Sequence, residues 1–250
     1  YDESEQVYKR REPMTVTTLK EAYAVVGKPT TDNSKMTDTL CFNTDPEQCN
    51  TGSKLRKMDN TPCRFCYSLR LCNFRKNVHE SYIRNTKLLI SALQDIGYEM
   101  VANIMAFIIK KKQKTMGIYK VRVKDGGDAV NMMEFLMWMV VATLCKEHRF
   151  WFPTKEYGWL REAFRQVDSI PSNIIFRVSA PVIDQPHMKE FRYCSVVYTQ
   201  DRYDNFVDTD SAKKCIAKYQ GNACLECDHC YDPKINTVVY PPNKIKESML

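Results

Sequence analysis

Three features of the sequence predict an α/β fold: a partial (β/α)6-type barrel or an open parallel sheet, with a Cys-rich C-terminal extension. From residue 117 onward, short β-type runs alternate with amphipathic helical runs, the rhythm of βαβ units. About six strands are readable, short of the eight that close a full barrel. Two cysteine-rich segments flank the alternation, one before it and one after.

The elements follow in order. Residues 1–36 are polar, charge-rich and weakly periodic, and read as an extended N-terminal arm or a loosely packed extension. "DTLCFN" (38–43) is a short strand, and the Asn-, Asp-, Gly- and Pro-containing stretch 43–62 is a loop. "ESYIRNTKLLISALQDIG" carries apolar residues at 82, 83, 88, 89, 90, 93 and 96 and stops at Gly97, which predicts a helix. A second helix covers about 98–112. "GIYKVRVK" (117–124) alternates as a strand, 128–148 is a long buried helix, "RFWFPT" (149–154) a strand, and 155–167 an amphipathic helix. "NIIFRVSA" (173–180), "YCSVVYT" (193–199) and "NTVVYP" (236–241) complete the strands. The organisation is an extension (1–36), an α/β core with the first cysteine cluster (37–210), and a Cys-rich segment packed on that core (211–250).

Hydrophobic content of 44% and charged content of 27% are those of an ordinary globular protein. The most apolar run, 135–142, is too short to span a bilayer, so no membrane partner is expected. No early stretch has the basic, apolar, small-residue order of a secretory signal, so a cytoplasmic location is expected. A net charge of +7 is compatible with nucleic acid as a partner without requiring it. The basic run "KKKQK" (110–114) reads as a helix C-terminus, where cations suit the dipole, rather than as a phosphate-binding patch.

The eleven cysteines carry the chemistry. A reducing compartment argues against a disulfide framework in a chain of this size. Cys145 and Cys194 lie in apolar surroundings and read as buried thiols. Cys41, Cys49, Cys63, Cys66 and Cys72 form one set, and Cys215, Cys224, Cys227 and Cys230 another; such clustering points to metal. The pair Cys63–Cys66 has a spacing that suits zinc or an iron–sulfur cluster. A structural zinc site drawn from Cys41 or Cys49 with Cys63, Cys66 and Cys72 is one reading of the front set. In the tail, Cys224-x-x-Cys227-x-x-Cys230 has the opening spacing of a bacterial ferredoxin site, whose fourth ligand comes from a distant cysteine; Cys215 is placed to supply it. Iron–sulfur is favoured there, with zinc as the alternative.

In "KDGGD", Gly126 and Gly127 either make a tight βα turn with Asp128 as helix N-cap, or let the backbone approach a ligand while Asp128 accepts a hydrogen bond from a cation or amine. Ligands of parallel α/β folds gather at the C-terminal ends of strands. The front loop, the Gly-Gly-Asp turn, Ser179–Ala180 and the tail are therefore expected to converge on one rim. His79, His148 and His187 read as solvated or helix-terminal, and Glu156 and Asp184 as acids at strand ends. No Walker loop, HExxH or nucleophile elbow is present.

Taken in order, "VRVKDGGDAV", "RFWFPTKEY", "PSNIIFRVSAPVID" and "GNACLECDHCYD" resemble the gene product 88 family of bacteriophage proteins, which implies the cytoplasm of an infected bacterium. More distantly, a CxxCY segment after the first strand, a Gly-Gly-acid turn after a later one and an α/β layout are similar to the radical S-adenosylmethionine superfamily. That resemblance implies a [4Fe-4S] cluster on Cys49, Cys63 and Cys66, with one iron open to S-adenosylmethionine. It also implies a cofactor turn at Gly126, Gly127 and Asp128, and an auxiliary [4Fe-4S] cluster on Cys215, Cys224, Cys227 and Cys230. Cys41 and Cys72 are spare ligands that could close the front site. Three classes stay open: a redox or radical enzyme acting on a small-molecule or macromolecular substrate; a closed-cluster protein serving structure or a redox partner; and a zinc-stapled basic module contacting nucleic acid or a host protein.

Overall fold

The computed structural model describes residues 15–31, 35, 36 and 38–242. Seven strands form one sheet: β1 (Thr39–Cys41), β2 (Lys120–Arg122), β3 (Arg149–Thr154), β4 (Ile174–Ser179), β5 (Cys194–Val197), β6 (Ala212–Lys214) and β7 (Thr237–Tyr240). Their order is β1-β2-β3-β4-β5-β7-β6, and every pairing is parallel. The helices are α1 (Leu19–Val26), α2 (Asn50–Leu55), α3 (Tyr67–Phe74), α4 (Lys76–Asp95), α5 (Tyr98–Met116), α6 (Met132–Leu144), α7 (Tyr157–Arg165) and α8 (Gln200–Asp204). The predicted open parallel α/β architecture is thus the observed one.

Strand side chains alternate between two faces, and the faces differ in kind. Leu40, Val121, Phe150, Phe152, Ile174, Phe176, Val178 and Cys194 point into the main core, where α4 to α7 cover them with residues such as Leu93, Ile108, Phe135, Trp138 and Leu160. The alternate residues, among them Cys41, Lys120, Arg122, Trp151, Arg177, Ser195 and Tyr240, make up the opposite face. Among the described residues no long helix covers it. The Cys-rich segment does, placing Tyr231, Cys224 and Cys230 against Cys41, Trp151 and Met36.

The sheet also rolls around that face. Arg122 on β2 and Tyr240 on β7 stand four strands apart in the sheet order. On a flat sheet, at ~4.8 Å per strand, that is about 19 Å. Thr39 of β1 and Val238 of β7, further apart still in that order, nonetheless line one recess, so the polar face is concave.

Several sequence expectations are corrected. The described part of the N-terminal region is not an extended arm throughout: α1 forms there, with a Thr18–Glu21 capping box, and buries Ala22 and Val26 against α4 and α5. The helix expected over 128–148 starts at Met132, capped by Asn131, whose side chain accepts from the Glu134 N–H. Asp128 is therefore not its N-cap. β6, with the sequence AKK, has no apolar signal and was not anticipated; it is an edge strand that pairs with β7 alone. α5 runs to Met116 and ends on Gly117 in the left-handed conformation (φ 67°), with Lys114 in its last turn.

The histidines differ from expectation as well. His148 is buried (2% exposed) between the rings of Tyr119 and Phe150. Neither of its ring nitrogens has a hydrogen-bond partner among the described residues, and burial pushes its pKa down. His79 Nε2 meets Asp45 Oδ1 at 3.3 Å, and His187 bridges the Thr237 hydroxyl (2.7 Å) and the Phe191 carbonyl (2.8 Å).

A buried base with a depressed pKa stabilises the fold only above its unfolded pKa, near 6.5. As pH falls below that value the unfolded chain takes up a proton that the folded chain resists, so stability falls. His148→Phe, which also removes two unsatisfied nitrogens, is expected to raise the melting temperature and flatten its dependence between about pH 5 and 7. Thermal unfolding across that range, compared with the parent protein, is the check.

Candidate metal centres

The front cysteines sit at the C-terminal ends of β1 to β3. β1 runs into a loop that carries Cys49, and α2 begins at the next residue. The start of α2 is held from across the sheet by Glu156, just past β3 and 2% exposed. Its carboxylate accepts from the Thr51 N–H (2.8 Å), the Thr51 hydroxyl (2.8 Å) and the Asn50 amide (3.2 Å). Three bonds of this kind, two residues from Cys49, fix the thiol against β3.

Cys63 and Cys66 follow in the turn before α3. A Cβ on Gly52 would lie 3.8 Å from both the Cys49 and the Cys63 sulfur, so these thiols share the space above that glycine. Burial raises the Cys49 pKa, and Asp128, Cys66, Glu156 and Cys63 raise it further. Cys63 is also raised, first by burial, with Lys155 and Arg56 acting in the opposite sense. The structure thus brings Cys49, Cys63 and Cys66 together, beside Asp128 and Glu156.

The Gly126-Gly127-Asp128 turn stands at the end of β2, next to this set. Its groups are committed to the protein itself. Gly127 has φ +79°, and a Cβ there would meet the Thr44 hydroxyl at 2.3 Å and the Thr44 carbonyl oxygen at 2.4 Å. A Cβ on Gly126 would meet the Ser68 hydroxyl at 2.5 Å and the Tyr82 ring at 2.8 Å. The N–H groups of Asp125 and Gly126 both donate to Asn43 Oδ1. The Asp128 carboxylate accepts from the Thr154 hydroxyl (2.7 Å) and from the N–H groups of Lys155 and Ala129 (2.8 Å each). Burial and the nearby Glu156 carboxylate push its pKa up to about 6, against the pull of those donors. The turn is a clamp joining the ends of β1, β2 and β3.

The tail set lies elsewhere. Cys215, Cys224, Cys227 and Cys230 all line one recess, together with Asp38 and Thr39 at the start of β1, Lys120 at the start of β2, Trp151 and Tyr231. The tail cysteines therefore do not join the front set on one rim: they face the beginnings of β1 and β2, and the front set faces their ends. The spare cysteines divide likewise. Cys41 packs with Trp151, Tyr231, Cys224 and Cys230, on the tail side. Cys72 is buried on α3, its pKa pushed up to about 11 by burial and by the charges of Asp45, Cys66 and Glu47, on the front side.

The residue that seats the tail was missed in the sequence. Arg177, on β4, is fully buried. Its guanidinium donates to the carbonyls of Cys194 and Asn236 (3.2 Å each), Ile235 (3.1 Å), His229 (3.3 Å) and Cys230 (3.4 Å). One side chain thereby ties β5, β7 and the last CxxC loop to the sheet. Burial lowers its pKa from the usual guanidinium range. Arg122 stacks on Trp151 at 4.5 Å and pairs with Asp125. Tyr240 places its hydroxyl 3.1 Å from the Cys230 sulfur. The available signal was a charged residue inside an otherwise apolar strand, as in "IIFRVS" and "KVRV".

A third group, Asp45, Glu47 and His79, has its ligand atoms all within 4.8 Å of one another. Among the described residues it is the triple of His, Cys, Asp or Glu that is so compact.

Fold and sites together define a rolled, all-parallel α/β protein with two separate groups of thiols, one at the C-terminal ends of β1 to β3 and one on its polar face. The chain belongs to the Gene product 88 family, whose model matches residues 11–235. It matches no curated protein and no solved structure.

Gly127→Ala combines left-handed backbone strain, of order 1–3 kcal/mol, with overlap on the Thr44 backbone. It is expected to destabilise the protein by more than that strain alone and to increase hydrogen exchange around residues 43–45 and 125–129. Exchange mass spectrometry against the parent chain measures both the size and the place of the effect.

Proposed function

We propose that this is an iron–sulfur protein: Cys215, Cys224, Cys227 and Cys230 hold a closed [4Fe-4S] cluster, and Cys49, Cys63 and Cys66 a second cluster with one iron open to a ligand. The observation that carries the reading is the convergence of four tail thiols on one recess. They lie within a crossover whose regular structure is two short 3-10 turns, 216–219 and 229–231. A parallel crossover is ordinarily held by a packed helix. Here the thiols stand in the helix's place, and a metal centre supplies the cohesion.

Sulfur spacing favours a cluster over single zinc ions. A tetrahedral zinc site with Zn–S bonds of ≈ 2.3 Å sets its sulfurs about 3.8 Å apart. Among the described residues, no three cysteine sulfurs lie within 4.8 Å of one another. A multi-iron cluster keeps its thiolates further apart.

For the front set, the reading is supported by three thiols between β1 and α3, beside a Gly-Gly-acid turn after the adjacent parallel strand β2, an arrangement that suits a cluster of the radical S-adenosylmethionine type. We take the ligand of the open iron to be S-adenosylmethionine and the class to be a radical or redox enzyme. Because Gly126, Gly127 and Asp128 are occupied by the clamp, the ligand's amine would be met by other groups.

Anaerobic purification followed by iron, sulfide and zinc analysis is expected to give a brown protein with iron and acid-labile sulfide at both sets. A colourless protein with stoichiometric zinc would sink the reading. In the reduced protein, adding S-adenosylmethionine is expected to change the front cluster's EPR signal; no change, with Cys72 required for iron retention, would make the front site closed and non-enzymatic. Gly52→Ala puts a methyl between the Cys49 and Cys63 sulfurs at a helical position that tolerates alanine. It is expected to lower front-site iron while leaving the tail iron unchanged.

A further inference from the structure

The two thiol sets lie in opposite electrostatic surroundings. Two acids act on Cys49, Asp128 and Glu156, and they are fixed by hydrogen bonds from the end of β3 and the start of α2, respectively. The cations that reach the front set, Lys155 and Arg56, act on Cys63. At the tail the balance reverses. Arg177 and Arg122 both act on Cys230, Lys35 and Arg122 on Cys224, and Lys120 on Cys227. Two acids line the recess there, Asp38 and Asp228: Lys120 binds both (2.9 and 2.8 Å) and Arg149 binds Asp228 (2.6 Å). Asp125 pairs with Arg122, so carboxylates offset much of this charge but not that of Arg177.

Arg177 is the anomaly among these groups. A buried cation costs several kcal/mol unless an anion compensates it. Among the described residues no carboxylate forms an ion pair with Arg177, and its Nε has no hydrogen-bond partner. Five backbone carbonyls satisfy its other donors but carry no net charge. Among the tail thiols, the one whose own carbonyl Arg177 holds is Cys230, and a thiolate site there would supply the missing negative charge.

We propose that the tail centre is the electron acceptor of the pair, with a reduction potential above that of the front centre, and that Arg177 is the positioning residue that sets this order. The inference rests on the iron–sulfur reading above. A fixed positive charge favours the more reduced, more negative cluster and raises its potential, whereas buried carboxylates oppose reduction and lower it. The step is a one-electron exchange: the reduced front cluster loses one electron and the oxidised tail cluster gains it, with no bond made or broken. In the test the electron comes from an external one-electron reductant.

The full chain, purified anaerobically, is titrated stepwise with dithionite and followed by EPR, with Cys227→Ser and Cys66→Ser assigning the tail and front signals. The tail signal is expected to appear first. Arg177→Met is expected to shift the tail midpoint downward and leave the front midpoint in place, and Arg177→Lys to keep the tail near its parent value. A front signal that appears first overturns the proposal, as does an Arg177→Met protein in which the tail midpoint does not move. If Arg177→Met fails to fold, the order of reduction in the parent protein and the Arg177→Lys midpoint still decide. Iron in the front set with zinc in the tail overturns the proposal and leaves the front-site reading standing; iron in neither set removes the iron–sulfur reading itself.

Discussion

Right-handed crossovers put the five forward steps of the sheet, from β1 through to β6, on one face, and the single backward step from β6 to β7 on the other. Burial follows this division. The large helices and the main apolar core share one side, and the Cys-rich crossover lies on the opposite side against Cys41, Trp151 and Tyr231. Reversals of strand order are where open α/β sheets commonly place ligands. In this chain the reversal is also where four thiols meet around one recess.

The concave face is costly to cover in this way. It buries Arg122 and Arg177 and only a small apolar cluster, so hydrophobic burial contributes far less there than on the helical side. Arg177 compensates partly by donating to backbone carbonyls of β5 and of the tail crossover. The core side holds its own buried ion pair, Lys124 with Glu134 at 2.7 Å, and there the carboxylate is completed by the Trp138 and Val130 N–H groups. The contrast is informative. Lys124 has its counter-ion within the protein, whereas Arg177 points its charge at the cysteines.

The βαβ rhythm was legible because β3, β4 and α4 to α7 carry strong periodic signals over enough residues. β6 and α1 were not, since three residues reading AKK carry no pattern and α1 gains its stability by packing on α4 and α5. Grouping the cysteines into front and tail sets needed only spacing. Their separation to opposite ends of β1 and β2 could not be read, because it depends on which way the last crossover turns. The Gly-Gly-Asp turn shows the converse problem. Its composition suited either a ligand cradle or a packed turn, and tertiary contacts with Thr44, Ser68 and Tyr82 account for both glycines. Arg122 and Arg177 carried a visible signal, a cation on one face of a strand, which points to a polar interior once the other face is known to be core.

β7 pairs on one side with β5 and on the other with β6, although it follows both in the chain. During synthesis the β5 edge therefore remains unsatisfied until β7 has emerged, and β6 has no neighbour to dock on before then. All four tail cysteines are made earlier, between those two strands. Insertion of β7 and gathering of the thiols are consequently one event: the strand cannot seat without drawing the loop across the concave face. Assembly of the sheet and gathering of the four tail thiols are thus coupled in time, and a chain that fails to draw them together would be left with an open sheet edge.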